Sequence, residues 1–208
     1  MKKLETPTNR LIENYVNKFN IDKRYKTADI SINNLIKVFP ENKKLEDIYL
    51  KVTVINRLYS TNILGIWEMS NHILNIQVDE AINNGNPSIV HHIALGHGVK
   101  LKNKTENDKV IKDINFYSFA TKYCNWHNQE CYPIYDSFVE KILIEYQKDK
   151  PFSIFNTIDL KDFIKFKTII SDFINYYNLN NKSLKEIDKF LWIYGREREI
   201  ERKGKDRY

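Results

Sequence analysis

Residues 159–177 read DLKDFIKFKTIISDFINYY. Leu160, Phe163, Ile164, Ile170, Phe173, Ile174 and Tyr177 recur there every three or four residues. That period places them on one face of a helix. A strand would alternate its apolar residues at every second position, and this stretch does not. Outward from it the same period returns. Leu11, Ile12, Tyr15, Val16 and Phe19 form one stripe, and Leu45, Ile48, Tyr49, Val52, Ile55 and Tyr59 form another. Ile63, Ile66, Trp67, Ser70 and Ile73 mark a third helical stretch between about residues 62 and 76. Pro87 opens PSIVHHIAL, where a first helical turn tolerates a residue without an N–H. From about Glu106 to Trp126 the helical pattern continues, in one piece or two. Ser183 begins SLKEIDKFLWIYGREREIERKGK with Glu186 three residues on, the spacing of a capping box.

About nine helices result, with little or no strand, so the fold class is all-α. Six glycines and five prolines in 208 residues are too few for a turn-rich sandwich or barrel. The chain is expected to form a single compact helical domain over 1–208, or two helical lobes at about 1–105 and 106–208 with a cleft between them. No internal repeat or low-complexity linker interrupts it.

Two cysteines, Cys124 and Cys131, are too few for a disulfide scaffold and read as reduced thiols. No apolar run reaches the roughly 20 residues of a membrane span. The opening MKKLETPTNRLIENYV has lysines but no apolar core, so it does not read as a signal peptide. The expected address is the cytoplasm, with no membrane partner. A net charge of +6 is compatible with a polyanionic partner.

The stretch most able to carry function is YSFATKYCNWHNQECYPIYDSFVEKIL, residues 117–143. Its proline-containing turn breaks the helical pattern, and Asp136 then opens a new helix running to about Lys148. An aspartate there accepts hydrogen bonds from free N–H groups and suits the positive end of the dipole. As a cap it contributes about 1 kcal/mol. The same geometry can hold an ionised carboxylate beside a pocket, where it stabilises a cationic transition state or orients a water. Both readings stand on the local sequence.

Pro133-Ile134-Tyr135-Asp136-Ser137-Phe138-Val139 resembles the P-x-x-D-[S/T/G]-x-V motif of the helix-hairpin-helix DNA glycosylase superfamily, which includes endonuclease III and the adenine and 8-oxoguanine glycosylases. The resemblance covers some thirty residues. It implies that Asp136 assists cleavage of an N-glycosidic bond in double-stranded DNA, with the target base flipped into a pocket. Bifunctional members carry a lysine nucleophile ahead of the aspartate. The corresponding position here is Ser118, 18 residues before Asp136. That implies water as nucleophile and a monofunctional enzyme. Lys122 lies one helical turn further on and is the alternative nucleophile, or else a surface lysine. The superfamily's glycine-rich hairpin turn has no counterpart in KDINFYSFATKY. Its four-cysteine iron–sulfur cluster is excluded by the cysteine count, and no cofactor is expected.

Trp126, His127, Tyr123 and Tyr135 are the candidates for lining a base pocket. The aromatics serve equally as core residues. Arg196, Arg198, Arg202 and Lys203 in the tail are the candidate DNA contacts, alongside the alternative of a solvated helix with internal ion pairs. Cys124, His127 and Cys131 have ligand-type side chains, but the spacing lacks a paired C-x2-C, and no metal site is expected. His91, His92 and His97 read as buried or loop histidines. No P-loop, dinucleotide fingerprint, H-E-x-x-H or G-x-S-x-G occurs. The runner-up function is a non-catalytic helical module that binds DNA or protein.

Overall fold

The computed structural model describes residues 3–102 and 111–205. Ten α-helices occur among these residues: α1 Asn9–Ile21, α2 Lys23–Val38, α3 Leu45–Tyr59, α4 Ile66–Asn75, α5 Asp79–Asn83, α6 Ser88–Ala94, α7 Tyr117–His127, α8 Ser137–Asp149, α9 Phe163–Tyr176 and α10 Leu184–Lys205. A short antiparallel ribbon, β1 Lys100–Lys102 with β2 Ile111–Asp113, pairs Leu101 with Lys112. A 3-10 turn spans Asp159–Lys161. The all-α class follows from this inventory. The helical expectation before α7 is corrected at Ile111–Asp113, which is strand. Residues 106–110 of that expectation, and Asp206 and Arg207 of the tail, lie outside the described residues.

The chain divides into two compact units, Met1–Thr27 with Gln129–Tyr208, and Ala28–Asn128. These breaks fall at 27/28 and 128/129, whereas the lobe boundary expected from the sequence lies at 105/106.

In the first unit α10 packs against both α1 and α8. Its capping box forms as read: the Glu186 N–H donates to Ser183 Oγ and the Ser183 N–H donates to Glu186 Oε2. Ile187, Phe190, Leu191 and Tyr194, at i, i+3, i+4 and i+7, are buried. On α8 the matching set is Val139, Ile142, Leu143 and Tyr146. Each such side chain contributes roughly 1.5–3 kcal/mol by leaving water. Gly195 sits at the α8–α10 approach. A Cβ there would stand 2.6 Å from the Phe138 carbonyl oxygen, so only glycine admits this spacing. On α9, capped by Asp162, the buried face is Phe163, Phe166, Ile170 and Phe173. Ile164, expected on that face, is instead exposed because it stands 100° around the helix from Phe163.

In the second unit α3 packs on α4 and α7, and α7 also meets α5 and α6. Nine of the eleven α7 residues are buried. A helix enclosed on nearly all sides must find partners inside for every polar side chain it carries. Those of α7 include Ser118, Thr121, Lys122, Asn125 and His127.

Candidate functional site

Two clusters of charged side chains stand out, one in each unit. The first is sealed. Lys51 lies on the apolar face of α3 between Ile48 and Val52, with no exposed surface. Its ammonium donates to the carbonyls of Phe39 (3.1 Å) and Glu41 (2.8 Å) and to Asn42 Oδ1 (2.6 Å). Asn42 also accepts from the Tyr123 hydroxyl at 2.5 Å, and its own N–H and Nδ2 donate to the Asp79 carboxylate. Burial pushes Lys51 down to about 8, against the pull of Asp79 and Asp47. Three acceptors for three donors leave this ammonium no hydrogen for a ligand. His127 stands against Tyr123 with ring centroids 5.1 Å apart. Burial first, and Lys51 second, push its imidazole down to about 3. It is therefore neutral at physiological pH. Its Nε2 has no partner among the described residues, while the ring bonds the Pro40 backbone.

The predicted pocket residues of α7 belong to this same interior. Lys122 is 2% exposed. Its Nζ donates to Ser118 Oγ at 2.6 Å and lies 5.4 Å from the Tyr59 ring centre. The Lys122 side chain is thus buried, which replaces the surface reading. The Trp126 indole N–H donates to the Tyr59 hydroxyl at 3.0 Å. Tyr123 is fully buried. Ser118 with Lys122, Trp126 with Tyr59, and Tyr123 with His127 are the pairs that α7 brings together. The Cys124 thiol is fully enclosed, and burial pushes it well up. Among the described residues no group of three His, Cys, Asp or Glu side chains is placed to hold a metal ion. His97 is held by the Ile114 carbonyl and the Val99 N–H.

Asp136 and Tyr135 belong to the first unit. Asp136 caps α8, one carboxylate oxygen accepting the Phe138 N–H at 2.8 Å. Tyr135 donates its hydroxyl to Glu140 and sets its ring edge-on to Phe166. Phe138 in turn meets the Trp192 ring.

The second charged cluster lies in the first unit, and it is open. A groove of about 330 Å³ runs between α8 and α10. Its lining includes Lys141, Lys148, Arg198 and Arg202, with Glu145 and Glu199. Arg198 is clamped by both oxygens of Glu145. Glu199, 6% exposed, is shared by Lys141 at 2.8 Å, by Arg202, and by Lys203 at 3.7 Å. Lys141 first, with Arg202, holds its carboxyl below the usual range. Lys141 and Arg202 stay about half exposed. Of the four predicted DNA contacts, Arg198 and Arg202 line this groove and Lys203 pairs with its Glu199. Arg196 stands elsewhere on α10, over the Tyr25 and Trp192 rings.

Sequence reasoning missed Lys141, Lys148, Glu145 and Glu199. Their signal was present: residues 141, 145 and 148 share one face of α8, as 195, 198, 199 and 202 share one of α10. It also missed Lys51, whose signal was a charge inside an apolar stripe.

The family model HI_0787_N, described as an N-terminal domain, matches residues 11–131. An uncharacterized protein of Haemophilus influenzae is 36% identical over 154 residues, covering 74% of this chain and 68% of that protein. The chain belongs to the HI_0787_N family. The family match runs from α1 through the end of α7, and so includes the Lys51 network and Ser118–Lys122. The α8–α10 groove lies beyond it. No solved structure matches the chain.

Proposed function

We propose that this member of the HI_0787_N family is a helical nucleic-acid-binding module that contacts duplex DNA through α8 and α10. The carrying observation is the excess of cations around Glu199. One carboxylate serves Lys141, Arg202 and Lys203, so positive charge is left over on an open face. Surplus surface cations attract a phosphate backbone and release its counterions on binding. The internal pairs do not cancel this charge. They hold the cations in place. The test is binding of a labelled DNA duplex, read by fluorescence anisotropy at about 50 mM salt, where backbone contacts are strong. Replacing Lys141, Arg202 and Lys203 with glutamine weakens binding at least about tenfold on this reading. Undiminished binding by the triple variant, with its helical circular dichroism intact, removes the proposal.

Base excision is the narrower reading. The observation in its favour is a carboxylate fixed at the start of α8 by the Phe138 N–H. A carboxylate so held stays in place to stabilise an oxocarbenium-like sugar while water attacks. Asp136→Asn keeps the size of the side chain and removes its charge. On this reading it abolishes base release from a panel of modified duplexes. Equal release by wild type and variant removes Asp136 from catalysis. Borohydride trapping on abasic DNA gives little adduct if water is the nucleophile. A strong adduct lost in Lys122→Ala reverses that assignment.

A further inference from the structure

We infer that the α8–α10 groove is a site for a terminal phosphate, that is, a phosphate monoester, rather than only a track for backbone diesters. The inference rests on the nucleic-acid reading of the same face and narrows it.

Three observations combine. The first is charge. Lys141, Lys148, Arg198 and Arg202 bring four positive charges to the lining, and Glu145 and Glu199 bring two negative ones, which leaves +2. A diester phosphate carries one negative charge, whereas a monoester approaches two at neutral pH. The groove matches the dianion. The second is space. At about 330 Å³ the groove lies at the small end of ligand pockets, which run from roughly 300 to 1,000 Å³. Gly195 supplies part of this wall without a side chain, and that position faces α8. A nucleotide-sized terminus fits that volume. The third is preorganisation. Arg198 is 8% exposed and clamped by Glu145, so its guanidinium is fixed before any ligand arrives. Lys141 is steered by the buried Glu199 carboxylate at 2.8 Å. Lys148, at the end of α8, has no ion-pair partner among the described residues and is the natural mobile clamp. Fixed cations bind an anion at less cost in side-chain entropy than free ones.

The same chemistry has two sources: the phosphorylated end of a nucleic-acid strand, and a free phosphate such as inorganic phosphate. The experiment separates them. Anisotropy titrations compare one duplex carrying a 5′-phosphate with the same duplex carrying a 5′-hydroxyl. Inorganic phosphate is titrated separately by thermal shift at constant ionic strength. The expected result is at least about fivefold tighter binding of the phosphorylated duplex, the scale of one charge-assisted contact. That preference fades near pH 5.5, as the second phosphate proton returns at about pH 6. It disappears in Lys148→Gln/Arg202→Gln, two side chains whose loss leaves the apolar core untouched. Saturable stabilisation by inorganic phosphate, lost in that variant but without any duplex binding, upholds the phosphate site and overturns the nucleic-acid reading. Equal affinity for both duplexes, together with phosphate stabilisation that is absent or equal in wild type and variant, overturns the inference. Duplex binding that persists in that case leaves the nucleic-acid reading intact.

Discussion

Lys51 on α3 and Lys141 on α8 each sit beside a packed helix and each touch a buried oxygen, yet they stand in opposite electrostatic situations. Around Lys51 every hydrogen is used on a carbonyl or amide oxygen, and the site is closed to water. Around Lys141 one carboxylate is shared among three cations, and the groove is open. A buried cation with all its hydrogens matched is a brace: it ties residues 39–42 to α3. A surface cation whose carboxylate partner is oversubscribed still has charge to offer a ligand. Position in a cluster therefore says less about function than the balance of donors, acceptors and charge within it.

The largest expected effect breaks the brace. Lys51→Met strands the Phe39 and Glu41 carbonyls, while Asn42 Oδ1 keeps the Tyr123 hydroxyl, and the unfolding free energy falls by roughly 3 kcal/mol in urea titrations, given about 1–3 kcal/mol per stranded group. A loss below about 1 kcal/mol refutes the brace. Gly195→Val comes next. It forces a side chain against the Phe138 carbonyl and lowers stability by about 2 kcal/mol, the scale of an overpacked contact. An unchanged denaturation midpoint contradicts the close approach of α8 and α10.

His127 sharpens the contrast by pH. Its folded-state value is about 3, against an ordinary 6.5. Between those limits the unfolded chain takes up a proton that the folded chain refuses. Stability from this group is therefore complete above about pH 6.5 and is lost as pH falls toward 3. Chemical denaturation at a series of pH values gives a wild-type slope that includes up to about 1.4 kcal/mol per pH unit from this one proton. His127→Gln removes that part, and an identical slope in the variant shows that the imidazole is not sequestered. Smaller still, Asp136→Ala costs about 1 kcal/mol of helix capping, and Asp136→Asn far less because asparagine caps about as well. Lys148→Gln, on the open groove, stays within about 0.5 kcal/mol of wild type.

Local devices were legible in the sequence because their partners are close along the chain. The Ser183–Glu186 capping box and the Asp136 cap need only three residues of context. The helical stripes of α1, α3 and α9 were legible from their period. Ile164 was misplaced because one apolar residue at the edge of a stripe sits on either side of the solvent boundary. α2 was missed because, of its sixteen residues, only Ile32 is buried, too little to set a period. The strand at Ile111–Asp113 depends on pairing with Lys100–Lys102, a contact that no helical period reports. The charged clusters were the least legible. Lys51 finds Asn42 through a loop, and Lys141 finds Glu199 across 58 residues. Candidate pocket residues Tyr123 and Trp126 carried the right chemistry for stacking. Yet burial assigns the Tyr123 hydroxyl to Asn42 and the Trp126 N–H to Tyr59.

The central claim is that the α8–α10 face spends its surplus charge on phosphate. The direct measurement is the salt dependence of duplex binding, compared between wild type and Lys141→Gln/Arg202→Gln/Lys203→Gln. Each cation that meets a phosphate adds close to one to the slope of log affinity against log salt, so the variant's slope falls by about three. A variant whose slope and affinity both equal those of wild type contradicts the account.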